Sequence, residues 1–288
     1  MIRIHQKRVL FALLSVLLAF YGLVSAAEKA PTKPKADRVI EYKTVEGDAL
    51  ELHVFLPKGW KTADRRPAAV FFFGGGWVSG TPSQFFPQAS YLASRGMVGI
   101  SAQYRTKHSH KTGPKECVED GKSAVRWVRG HAAVLGIDPE KIAVGGGSAG
   151  GHVAAASTFC AGFDAPGEDL KISTRANALL LFNPVFDNGP HGGWNHKAVK
   201  DYWKEISPAE NISKPVPPMA VFLGSKDKLI PVSTAERFEN KVEALDGRCD
   251  VHLYEGAGHG FFNKEPHLTK TLEESDAFFV SLGWLKKK

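Results

Sequence analysis

Residues Gly145-Gly-Gly-Ser148-Ala-Gly150-Gly-His152 restrict the chain more than any other stretch. They follow Lys141-Ile-Ala-Val144, a short apolar run suited to a buried strand, and precede Val153-Ala-Ala-Ala-Ser157, which suits a tightly packed helix. A serine between glycines at a strand-to-helix turn is what a nucleophile elbow requires. The turn is strained, the hydroxyl is presented outward, and only glycine tolerates the close backbone approach on either side. Gly-x-Ser-x-Gly alone is short enough to arise by chance in a chain of 288 residues, so its meaning rests on the surrounding pattern.

That pattern alternates. Val39–Tyr42 and Leu50–Leu56, separated by Glu46-Gly-Asp48, predict an opening hairpin; Leu50, Leu52, Val54 and Leu56 alternate with other positions, which puts His53 on the outward face. Ala68–Phe73 is unbroken and apolar, as in a strand covered on both faces of a parallel sheet. Helices are then expected near 83–95, 116–135, 233–245 and 269–282, and strands at 97–101, 178–182, 219–224 and 250–254. A long segment rich in Gly, Pro, His and Trp, 183–211, interrupts them as an inserted loop region. The result is an α/β fold: one domain, 39–288, with a mixed, mostly parallel sheet flanked by helices.

The amino terminus reads separately. Arg3, Lys7 and Arg8 precede an uncharged apolar run, Val9 to Val24, and small residues follow at Ser25-Ala-Ala27. This is the form of a signal peptide over residues 1–26, with a Pro/Lys/Ala-rich flexible linker at 27–38, and it implies export to the periplasm or the extracellular space. The leader holds three of the 37 basic residues and none of the 30 acidic ones, so without it the formal charge drops from +7 to +4. Lys286–Lys288 supplies most of the remainder, and no basic stripe is interleaved with aromatics, which argues against a nucleic-acid partner. No stable membrane association is expected after cleavage. Cys117, Cys160 and Cys249 are widely spaced without metal-like spacing; export permits a disulfide, but the odd number leaves at least one thiol unpaired or pairing between chains, and buried free thiols are the expectation.

A serine hydroxyl is a weak nucleophile and needs a base, which in turn needs an orienting carboxylate. Asp227 follows the 219–224 strand and His259 follows the 250–254 strand, so both fall on the sheet edge where Ser148 sits. Glycines at 258 and 260 let the His259 loop bend sharply. Asp187, after the 178–182 strand, is a rival acid. Gly74-Gly-Gly76, after an interior strand, and the N–H of Ala149 are where oxyanion donors should lie.

The combination FFFGGGWVSG, QYRT, GIDPEKIAVGGGSAGGHVAAA, LGSKDKLIPV and YEGAGHGFF resembles the α/β-hydrolase superfamily, nearest to its hormone-sensitive-lipase-like and bacterial acyl esterases of the feruloyl and acetyl-xylan type. The resemblance implies the α/β-hydrolase fold, nucleophile Ser148, acid Asp227, base His259, and oxyanion donors Gly75, Gly76 and Ala149. It implies hydrolysis of a small-molecule or oligosaccharide ester without cofactor or metal. The family usually carries a histidine before the glycine triplet; this chain has Phe73, which removes that histidine's bracing of the loop. A serine exopeptidase and a noncatalytic ligand-binding member share the fold and stand as alternatives; the former usually has a large additional domain, and the latter tolerates loss of triad members.

Other residues carry structural expectations. Arg105 is expected to brace the sheet edge, Asp120 and Arg126 to form structural ion pairs, and His152 to pack. His108, His110 and His191 to His196 lack carboxylate or cysteine partners at ligand spacing. Trp77, Trp194 and Phe262 are candidates for the substrate pocket, with Trp203 a further aromatic that could line an acyl or sugar subsite.

Overall fold

The opening hairpin forms because Glu46 and Gly47 both take positive φ, a turn that reverses the chain between strands β1 (Arg38–Val45) and β2 (Asp48–Phe55). The computed structural model of the chain describes residues 34–288; the signal-peptide segment and most of the linker lie outside the described residues. Asp37, at the end of the linker stretch, is bound to the sheet: its N–H donates to Val54 and its carboxylate accepts from the Leu56 N–H.

The remaining strands are β3 (Arg66–Phe72), β4 (Val98–Ala102), β5 (Ile137–Gly147), β6 (Ala178–Phe182), β7 (Met219–Gly224) and β8 (Cys249–Tyr254). They form one sheet in the order β1-β2-β4-β3-β5-β6-β7-β8. β1, β2 and β4 pair antiparallel, and every pair from β4 to β8 is parallel. The unbroken apolar runs occupy this parallel part, where β4, β6 and β7 are buried along their whole length. Each buried Phe there contributes about 2–3 kcal/mol of transfer free energy, and Phe71, Phe72, Phe182 and Phe222 are fully enclosed.

The helices are α1 (Phe86–Ser94), α2 (Lys107–His110), α3 (Pro114–Gly130), α4 (Ala149–Phe159), α5 (His196–Val199), α6 (Trp203–Ile206), α7 (Pro208–Asn211), α8 (Val232–Glu243) and α9 (His267–Ser281). α1 and α9 pack together on one face, while α3, α4 and α8 cover the other. Residue 183–211 carries three single-turn helices, α5 to α7, where the sequence predicts an irregular loop.

Two expectations are corrected. α3 stops at Gly130 rather than running to 135, because the chain reverses through Gly136 at φ 63° and Ile137 N–H donates back to Ala132. His53 is half-buried instead of outward, because α1 crosses β2 and sets Phe86 against its ring at 5.2 Å.

Candidate active site

At the end of β5 the chain has no side chains for three residues, and contact explains why. A Cβ on Gly146 or on Gly150 would sit under 3.0 Å from the carbonyl oxygen of Phe72, so α4 starts with its backbone against β3. Ser148 joins strand to helix at φ 53° and ψ −120°. Such a conformation costs about 1–3 kcal/mol for a non-glycine residue and persists only where the surroundings enforce it. Here Ser148 N–H donates to Phe182, and Ser148 C=O accepts from His152 and Val185.

Asp227 and His259 arrive from the ends of β7 and β8. The Asp227 side chain is fully buried; one oxygen accepts the Leu229 and Ile230 N–H groups at 2.8 and 2.9 Å, and the other lies 2.7 Å from His259 Nδ1. His259 Nε2 lies 2.9 Å from Ser148 Oγ. Because the carboxylate can only accept, Nδ1 carries the proton and Nε2 is left to accept from the serine hydroxyl. The rival Asp187 is elsewhere: its carboxylate accepts the Gly189 N–H at 2.6 Å and faces Arg237 at 3.8 Å, shaping the 183–195 loop.

A cavity of about 310 Å³ opens over Ser148 and His259, walled by Gly75, Gly76, Trp194, Leu229 and Phe262. Gly75 and Gly76 adopt φ 133° and 66°, conformations that turn the chain after β3 back over the serine. Of the three aromatic candidates, Trp194 and Phe262 line this cavity and Trp77 does not. Trp77 is 2% exposed and packs behind, against Trp194 and His152, each with ring centroids 4.9 Å away. Trp203 also stays out, with its ring near His196. Ala149 is fully buried at the first turn of α4.

The missing histidine at 73 is replaced by two other contacts. Gln84 Oε1 accepts the Gly74 N–H at 2.5 Å, and the Tyr104 hydroxyl donates to the Phe73 carbonyl at 2.6 Å while the two rings stack at 4.1 Å. A third residue braces the base: Asn183, fully buried, accepts the Gly260 N–H at 2.8 Å through Oδ1. Gln84, Asn183 and Leu229 are not among the site residues that the sequence predicts. Only Asn183 carried a signal, its place directly after β6 on the catalytic edge of the sheet.

A solved structure of Thermogutta terrifontis esterase 2 with propionate bound is 44% identical to this chain, covers 90% of it and 98% of its own length, and superposes with a TM-score of 0.84. The chain belongs to the α/β-hydrolase superfamily, among its esterases. Family models described as BD-FAE and as the dienelactone hydrolase family match this α/β-hydrolase over residues 52–178 and 191–287, the first in keeping with the hormone-sensitive-lipase-like branch. The same Thermogutta terrifontis esterase phosphorylated by paraoxon matches at 44% identity, 90% and 98% coverage and a TM-score of 0.84. Esterase LipC of Mycobacterium tuberculosis is 30% identical over 227 residues, which are 70% of this chain and 56% of LipC. The chain spans about half the length of the curated relatives it matches.

Three other histidines of this α/β-hydrolase, among the described residues, have structural surroundings. His152 is fully buried, its Nε2 3.0 Å from the Ile206 carbonyl, and burial lowers its pKa to about 4. His110 and His196 lie against Ser109 and the Asn188 carbonyl. Arg105 braces the sheet edge as expected. Burial opposes its charge, but Asp120 and Glu119, at 2.8 and 2.7 Å, hold the guanidinium well above its ordinary pKa. Arg126 pairs with Asp164 and Glu168. Cys117, Cys160 and Cys249 are free and buried, and burial pushes the Cys160 thiol up to about 12.

Proposed function

We propose that the protein is a serine carboxylic-ester hydrolase working through an acyl-enzyme. Ser148 Oγ attacks the ester carbonyl as His259 Nε2 takes its proton. Asp227 holds the Nδ1–H tautomer and stabilises the imidazolium. The tetrahedral oxyanion is received by the N–H groups of Gly75, Gly76 and Ala149. His259 then protonates the leaving alcohol, and water, activated by the same base, releases the acid. Every step is carried by protein groups.

The observation that carries this reading is the single histidine bridging Ser148 at 2.9 Å and a fully buried carboxylate at 2.7 Å. Further support comes from the Thermogutta terrifontis esterase, which has been solved with propionate bound and phosphorylated by paraoxon. By analogy we take a short acyl group to fill the cavity between Trp194 and Phe262. With residues 1–26 read as an export leader, the natural substrates on this proposal are acetylated or feruloylated fragments of extracellular polysaccharide. Ser148→Ala should abolish both hydrolysis of p-nitrophenyl acetate and labelling by a fluorophosphonate; persistent labelling of the variant would sink the assignment of the nucleophile. Hydrolysis confined to long-chain lipid esters, with none of acetylated oligosaccharides, would overturn the substrate class.

A further inference from the structure

Beside the cavity over Ser148 lies a second one of about 380 Å³, within the size range of ligand pockets. The two share Gly74, Gln84 and Asn263, so they meet at the glycine turn next to the nucleophile. Their chemistry differs. Trp194, Leu229 and Phe262 give the first apolar walls, whereas Thr81, Ser83 and Gln88 line the second beside Pro87 and Leu268.

Gln88 is the telling residue. It sits in the first turn of α1 and is 1% exposed, yet neither its amide oxygen nor its amide nitrogen has a hydrogen-bond partner. A buried amide of this kind offers one acceptor and two donor hydrogens, and such groups are ordinarily paired. At the rim the Thr81 hydroxyl, 2.9 Å from that of Ser83, adds a further polar group.

We infer that this second cavity is the subsite for a hydroxylated leaving alcohol, a polyol or sugar unit, with Gln88 as the residue that selects it. The inference rests on the ester-hydrolase reading of Ser148 and goes beyond it by assigning the alcohol half of the substrate to a place. The orientation follows from the base: the leaving oxygen must be protonated by His259, and Asn263, at the threshold, belongs to the His259 loop through its amide donation to the Gly260 carbonyl at 3.0 Å. Paired donors and acceptors in a buried site discriminate strongly against an analogue lacking the hydroxyls, because the site's polar groups are then left unpaired.

The test compares esters of one acid, propyl acetate, glycerol monoacetate and 6-O-acetylglucose, by kcat/KM. The wild type should favour the hydroxylated esters over propyl acetate by about tenfold or more, and Gln88→Leu should lower that ratio about tenfold, the factor that losing one or two neutral hydrogen bonds gives. A thermal midpoint for Gln88→Leu reports whether it folds; if it does not, Thr81→Val at the exposed rim should lower the ratio about threefold. A wild-type ratio near one, a ratio unchanged in the variants, or a preference for ethyl lactate over ethyl propionate, which would put the hydroxyls on the acyl half, overturns the assignment. In each of those outcomes esters are still hydrolysed. Failure of the catalytic reading is different: no ester is turned over and paraoxon does not label the wild type.

Discussion

Two buried aspartates, Asp120 and Asp227, have side chains equally cut off from solvent and serve opposite ends. Asp120 takes Arg105 on both oxygens and Lys43 on one, at 2.8 Å each, along with the Arg105 N–H at 2.9 Å. Its partners, a guanidinium and an ammonium, only donate to it, and the cluster ties α3 to β1 and to the end of β4. Asp227 has two backbone N–H groups on one oxygen and a histidine on the other. Its partner is an imidazole with two ring nitrogens, and the far nitrogen reaches Ser148 Oγ at 2.9 Å. Burial of a carboxylate therefore says nothing about its role; what its partner goes on to touch does.

The largest expected effect isolates the end of the Asp227 chain of contacts. Ser148→Ala should lower kcat on p-nitrophenyl acetate by at least ~10⁴-fold, leaving only what the oxyanion donors and binding supply, with urea unfolding showing no loss of stability. Next come the two aspartates exchanged for amides. Asp227→Asn should lower kcat by ~10³–10⁴-fold while the fold persists, because the amide stabilises the wrong imidazole tautomer. Asp120→Asn should do the reverse, costing about 3 kcal/mol in urea unfolding, as breaking a buried ion pair does, with kcat/KM near that of the wild type. If Asp120→Asn lost activity and kept stability, the distinction between the two sites would collapse.

The third prediction concerns a histidine that burial keeps neutral. The pKa of His152 is lowered from 6.5 to about 4, so the unfolded chain binds a proton between those values and the folded chain does not. The stability associated with neutral His152 is complete above pH 6.5 and is lost as pH falls toward 4, by about 3 kcal/mol. His152→Gln, which keeps a donor for the Ile206 carbonyl and does not titrate, should flatten the dependence of unfolding free energy on pH in that window; an unchanged slope would refute the role. The smallest effect is on the oxyanion loop. Gln84→Leu leaves the Gly74 N–H without its acceptor and should lower kcat about tenfold, corresponding to one lost hydrogen bond, with KM for a short ester little changed.

Much of this arrangement was legible along the chain because it is written in local patterns. Unbroken apolar runs marked the interior strands, glycines at 146 and 150 marked the close approach of α4 to β3, and serine, acid and base followed three different strands in order. Asp187 and Asp227 both fall between Ser148 and His259, so the order serine, acid, base admits either; the structure separates them by giving Asp187 to Gly189 and Arg237 and Asp227 to His259. Trp77 is a pocket candidate by its aromatic face, which suits an acyl or sugar subsite, yet its φ of 64° turns the chain so that the ring goes inward behind Trp194.

By itself, the sequence determined the strand-and-helix alternation and the strained serine turn, and it put Asp227 and His259 just past strand ends, since each depends on residues within a few positions of one another. Only the tertiary structure decided which groups support them. His259 meets Ser148 across 111 residues, Asn183 reaches the Gly260 N–H across 77, and Gln84 stands in for an absent histidine by way of the turn into α1. Those contacts are made by packing one strand end against the next, and no periodicity records which amide will face which N–H across a sheet edge. The second cavity belongs to the same class: Gln88 reads as an ordinary helical glutamine until the fold buries its amide without a partner at a cavity that adjoins the one over Ser148.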